Sequence, residues 1–349
     1  MIEIQKAHEL DVVTLIEDLP QYELTKGATG TIVEVFDKPE EGYMVEFIDV
    51  VSGDSKIADW VLPYQFENVD QKGEVFFRKG IGLLSDGKSL EAARELREAI
   101  RLKPTLIRTL HNMISELAIA QNWQKVMAGM KFIIELDPTY QNAWINLAVA
   151  HVNYGVQQAK DNNLAEALTY FLSALRINAP PTIQRLVREN IAAAHVGLGI
   201  AAHRRGELET VLTHMLSAYV VNSNSETRVN MAIAYSILAD NYLQSGNYVA
   251  AISNYTAAEE AGMLTTEGLN NRAIAHVHLM QIDEALEAFE TAISIDPVNL
   301  IAKDNLMVLK LSLPHIKSTI AESLRTEQKI IKFTPLPQVE AVSVSAMHV

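Results

Sequence analysis

The chain has 349 residues, 48% of them apolar and 21% charged, with a formal net charge of −14 and no cysteine. Those values exclude a disordered chain, a disulfide scaffold, a thiolate metal site and a cysteine nucleophile, and the negative sign argues against general affinity for nucleic acid or anionic membrane. No apolar run approaches the ~18 residues needed to cross a bilayer. The first 25 residues carry Glu3, Glu9, Asp11, Glu17, Asp18 and Glu23, where an export signal needs a basic start and an apolar stretch, so a cytoplasmic location is expected.

The charge is unevenly spread. Residues 1–70 hold 16 acidic side chains against 4 Lys, a net of −12, while 71–349 hold 27 against 25, a net of −2. Two differently made pieces are therefore expected to meet near residue 70. In the first piece, LDVVTLIED, TGTIVEVF, YMVEFIDV and KIADWVL are short β-branched and aromatic runs separated by turn-forming segments. Four or five strands in about 65 residues predict a small all-β, SH3-like barrel. The string from Asp11 to Pro20, then Gly27, then Gly30 to Val35, then Tyr43, Val45, Glu46 and Phe47, resembles a small bacterial domain family of unknown function. That resemblance implies a fold and no chemistry.

Residues 71–313 show internal repetition. Pro104 and Pro138 lie 34 residues apart, each two positions after an apolar residue, Leu102 and Leu136. On a 34-residue frame, Phe76, Gly80, Leu83, Ala92, Leu96, Ala99 and Pro104 correspond to Leu269, Ala273, His276, Ala285, Phe289, Ala292 and Pro297. Small residues at two frame positions let paired helices approach, and larger ones fill the spaces between. The pattern resembles the tetratricopeptide repeat, which implies a mainly α, right-handed superhelical solenoid of about six repeats with a closing helix at 299–312.

A recurring Asn marks successive repeats: Asn112, Asn146, Asn190, Asn230, Asn271 and Asn305, at spacings of 34, 44, 40, 41 and 34. The longer central spacings add about two helical turns, so extended first helices are expected near 141–159, 183–204 and 226–245. Residues 314–349 are expected to be a separate C-terminal helix and an extended tail, 333–349, with two prolines and no basic residue.

Enzymatic signatures are few. There is no phosphate-binding loop, no dinucleotide fingerprint, no H-E-x-x-H and no G-x-S-x-G, so neither catalysis nor a cofactor is expected. His151, His195 and His276 each lie five residues after a frame Asn, where Tyr235 stands in the neighbouring repeat, and read as helix-contact residues. His276 and His278 point about 200° apart on a helix and make a poor ligand pair. Trp144 occupies a frame position that normally packs between helices and is expected in the core.

The Asn series carries the functional expectation. On the concave face of a first helix, a side-chain amide offers a donor and an acceptor to one peptide unit of an extended ligand. The resemblance to extended-helix repeat arrays implies such a ladder, with Val149, Ile233 and Ile274 one turn farther along the same face. A floor of amides and aliphatics suits a peptide with small apolar side chains. The carboxylate-gripping arrangement of chaperone-binding repeats is disfavoured, because Phe77, Ile81, Asn142 and Asn146 stand where its cationic and amide groups belong. The expected function is a non-enzymatic scaffold that binds an extended segment of a partner protein, without nucleic acid or membrane, with the acidic SH3-like module making a second contact and the tail 333–349 competing for its own or a neighbouring molecule's channel. The alternatives are a regulator or inhibitor acting through the N-terminal barrel with the repeats as a recruiting arm, and a hydrolase or transferase with its site in the barrel.

Overall fold

The computed structural model describes residues 6–38, 40–48 and 53–323, with side chains of 315–323 undescribed. The chain divides into two compact units, Met1–Leu147 and Ala148–Val349.

The first unit opens with five antiparallel strands: β1 (Val12–Leu15), β2 (Thr29–Phe36), β3 (Gly42–Ile48), β4 (Ser55–Val61) and β5 (Phe66–Asn68). Their order in the sheet is β4-β3-β2-β1-β5. Period-two alternation puts Tyr43, Val45 and Phe47 of β3 on one face, where they pack with Val13, Leu15, Ile32, Ala58 and Val61. β5, only three residues long, is the strand that the sequence did not mark; it pairs Phe66 with Leu15 and Asn68 with Val13.

The sheet is open, which corrects the expectation of a barrel. Among the described residues no ladder joins β4 to β5. The segment Leu19–Leu24 flanks β4 instead: the Tyr22 hydroxyl accepts from the Trp60 N–H at 3.2 Å and donates to Asp59 at 2.6 Å, and Lys56 Nζ reaches Glu23 at 3.0 Å. These contacts satisfy groups of an edge that would otherwise invite another strand.

No linker separates sheet from helices. β5 ends at Asn68 and α1 (Val69–Ser85) begins at the next residue. The Asn68 side chain caps α1 by accepting from the Gln71 N–H at 2.9 Å while donating to Asp11 at 2.7 Å. Asp70 accepts from the Val12 N–H at 3.1 Å. The unit continues with α2 (Ser89–Leu102), α3 (Leu106–Ile119), α4 (Trp123–Leu136) and the start of α5 (Gln141–Lys160). Small residues Ala92 and Ala99, fully buried beside Leu96, form the inner face of α2.

In the second unit, after the remainder of α5, come α6 (Leu164–Leu175), α7 (Pro181–Arg204), α8 (Leu208–Val221), α9 (Ser225–Gln244), α10 (Tyr248–Glu260), α11 (Thr266–His278), α12 (Ile282–Ile295) and α13 (Leu300–Ser323). From α6 onward each helix packs on the next along the chain. The long helices α5, α7 and α9 fall where the wide Asn spacings place them. Two residues past the end of each stands a residue in the left-handed region, Asn162, Gly206 or Gly246, which lets the chain reverse into the next helix. Helix α13 runs through Pro314, whereas the sequence predicts a stop there and a separate helix beyond. A proline removes one backbone bond without forbidding helix on both sides of it. Residues 324–349, which include the expected tail, lie outside the described residues.

Candidate functional site

The six frame Asn residues divide by environment. In the first unit, Asn112 is exposed on α3, and half-buried Asn146 lies with Nδ2 2.7 Å from Nε2 of His111, whose ring meets Tyr140 edge-on. In the second unit Asn190, Asn230, Asn271 and Asn305 are 1%, 2%, 3% and 5% exposed.

The last two are engaged in an internal network. Asn271 Nδ2 donates to Oδ1 of Asp240 at 3.0 Å, and its carbonyl oxygen accepts from Asn270 at 3.1 Å. Asn305 donates to Asn270 Oδ1 at 2.9 Å. Fully buried Tyr255 donates its hydroxyl to the same Asp240 oxygen. Burial, and then the Asp240 charge, push the Tyr255 phenol far above its ordinary range, so it stays a donor. Four helices, α9, α10, α11 and α13, are thereby tied by one polar relay. Asn270, adjacent to the recurring position and off the frame, completes it; sequence reasoning passed over it because it recurs in no other repeat.

Asn190 and Asn230 behave differently. Asn190 Nδ2 donates to the Leu186 carbonyl one turn back at 2.9 Å, leaving its Oδ1 buried without a partner. Asn230 Nδ2 is also buried without a partner. A buried polar atom with no hydrogen bond costs about 1–3 kcal/mol, and here one acceptor and one donor stand in equivalent positions of consecutive first helices. Of the aliphatic positions expected beside them, Ile233 and Val149 are half-buried and Ile274 is fully buried.

Trp144 is at the surface, 36% exposed, with Nε1 donating to the Pro138 carbonyl at 3.0 Å, which corrects its placement in the core. The polar indole edge turns outward to reach an acceptor, and the ring follows. His276 and His278 diverge: His276 Nδ1 contacts Gln281 at 2.8 Å, and His278 stacks on Tyr248 with centroids 4.2 Å apart. His195 meets His214 of α8, Nδ1 to Nδ1, at 3.1 Å. Burial lowers both imidazole pKa values, helped by His214 for the first and by Arg205 for the second. Among the described residues no three His, Cys, Asp or Glu side chains converge as a metal-binding group, and no helix is long and apolar enough to cross a membrane.

Residues 238–299, spanning the end of α9 to α12, match the family model described as Tetratricopeptide repeat. That stretch carries tetratricopeptide repeat sequence. Residues 9–54, covering β1 to β3, match the Domain of unknown function (DUF4926). Solved structures with similarity include the TPR domain of P58(IPK), at 15% identity over 72% of this chain and 68% of that one with a TM-score of 0.31. A TPR repeats protein from Bacteroides fragilis is 12% identical over 68% and 98% of the two chains, TM-score 0.30. YrrB, a TPR protein with an unusual peptide-binding site, is 17% identical over 59% and 95%, TM-score 0.25. No curated protein matches the chain.

Proposed function

We propose that this chain is a protein-binding scaffold in which Asn190 and Asn230 grip the backbone of an extended partner segment. The observation that supports the reading is the pair of unpartnered amide atoms on α7 and α9, which are buried in the free chain and meet a peptide only after the side chains rotate outward. One accepts and the other donates, which is the complement of a peptide N–H and a peptide C=O. Unsatisfied buried groups are uncommon in folded proteins, because folding gains nothing from them, and a ligand that pairs them recovers the desolvation already incurred. Asn271 and Asn305, bound into the Asp240 relay, act in the fold and not on the ligand, so the grip is two repeats long in this unit. Backbone contacts read no side chains; the half-buried aliphatic Ile233 one turn past Asn230 favours small apolar residues in the bound segment.

The C-terminal segment 333–349, FTPLPQVEAVSVSAMHV, has this chemistry, with one acidic and no Lys or Arg residue, and in this reading acts as a weak competing ligand. The test compares proteins captured from the source cell by the intact chain and by a folded Asn190→Ala/Asn230→Ala variant. A partner whose affinity falls at least tenfold supports the proposal; capture that is unchanged overturns it. Titrating the 333–349 peptide onto a chain cut after residue 332 tests the competitor separately, and no displacement of the partner removes that part alone.

A further inference from the structure

The contact between His195 and His214 lies outside the peptide grip, and it sets two imidazole nitrogens of different helices at hydrogen-bond distance. His195 lies on α7 and His214 on α8, and the two helices close tightly because Gly199, one turn past His195, has no side chain: a Cβ there would come within 2.6 Å of Met215 Cε and 3.4 Å of His214 Cβ. The approach brings two Nδ1 atoms to 3.1 Å, with ring planes tilted by 40°. Neither imidazole has another hydrogen-bond partner among the described residues.

We propose that His195 Nδ1 and His214 Nδ1 bind one divalent transition ion of the copper, nickel and zinc class. Two metal–nitrogen bonds of about 2.0–2.1 Å that span this separation subtend about 100° at the ion, between the right angle of a square-planar site and the tetrahedral angle. Imidazole nitrogen selects these ions over magnesium and calcium, which take oxygen ligands. Each ring binds the ion through Nδ1 when neutral and carrying its proton on Nε2. Among the described residues no third protein ligand converges with them, and water completes the coordination, which makes the site exchangeable. A bound ion ties α7 to α8 five residues from Asn190.

The test is a calorimetric titration of the untagged intact chain with ZnCl2 and with NiCl2 at pH 7.5. The expected result is one equivalent bound, absent with MgCl2 and lost in both His195→Gln and His214→Gln, while a His276→Gln/His278→Gln variant retains it. Circular dichroism before titration confirms that each variant is folded; should His195→Gln not fold, histidine nitrogen shifts of the intact chain, moving at these two rings on zinc addition, carry the test. No binding by the intact chain, or binding that survives either single substitution, overturns the proposal.

Discussion

Asn190→Ala with Asn230→Ala should stabilise the second unit slightly while weakening partner binding. At Asn230 the substitution removes a buried donor without a partner, a gain of about 1–3 kcal/mol, and exchanges Asn for the best helix former, a further ~0.5 kcal/mol. The vacated carboxamide volume costs about 1–2 kcal/mol at roughly 24 cal/mol per Å³ of cavity. The net at Asn230 is about +1 kcal/mol. At Asn190 the same terms apply, but the 2.9 Å bond to Leu186 is also lost, costing about 0.5–1.5 kcal/mol, so the net is near zero. A gain of about 1 kcal/mol raises the melting temperature of a unit this size by roughly 2–4 °C. Scanning calorimetry measures that rise, and a partner titration measures the accompanying loss, at least tenfold or ~1.4 kcal/mol. A fall in melting temperature of more than about 4 °C would show that both amides are satisfied in the fold, and would refute the reasoning from unpaired atoms.

The relay around Asp240 should respond in the opposite sense: Asn271→Ala removes a donor from a carboxylate and costs about 2–3 kcal/mol, measured by urea unfolding. Asp240→Ala strands both the Tyr255 hydroxyl and the Asn271 amide, and is expected to cost about 3–5 kcal/mol in the same assay. His278 stacks on Tyr248 at the surface, and partial desolvation lowers its pKa from the usual 6.5; it takes up a proton more readily unfolded than folded, so its small contribution is intact above that value and is lost as pH falls through its folded pKa. His278→Gln should therefore flatten the stability profile below pH 6.5 relative to the intact chain, and parallel profiles would exclude His278 as a source. Because Asn68, Asp70 and Asp11 stitch β1 to the start of α1, limited proteolysis should spare 68–74, and Asp70→Ala should open that stretch to cleavage; rapid cutting of the intact chain there would show the stitching to be weak.

Local periodicity determined most of the architecture. Frame residues such as Gly80, Ala92 and Leu96 announce a helical hairpin because spacing alone fixes which side chains share a face. The wide Asn spacings likewise located α5, α7 and α9 to within a few residues, and alternation located four strands. β5 was not legible, since Phe66-Glu67-Asn68 is too short to show a period and forms only because β1 offers an unpaired edge. Closure of the sheet was also beyond the sequence: whether the 19–24 segment or β5 lies along β4 is a competition between distant segments.

At the candidate site the sequence supplied the Asn series as six equivalents, and tertiary structure divided it. Asn271 and Asn305 acquire partners from α9 and α11 that no spacing predicts, while Asn190 Oδ1 and Asn230 Nδ2 stay buried without one. The pairing of His195 with His214 likewise depends on the close packing of α7 on α8 that Gly199 permits. Periodicity reports the face on which a side chain lies; the groups it meets there are set by helices that are far away in the chain, and the free energy of a buried polar atom depends on that meeting.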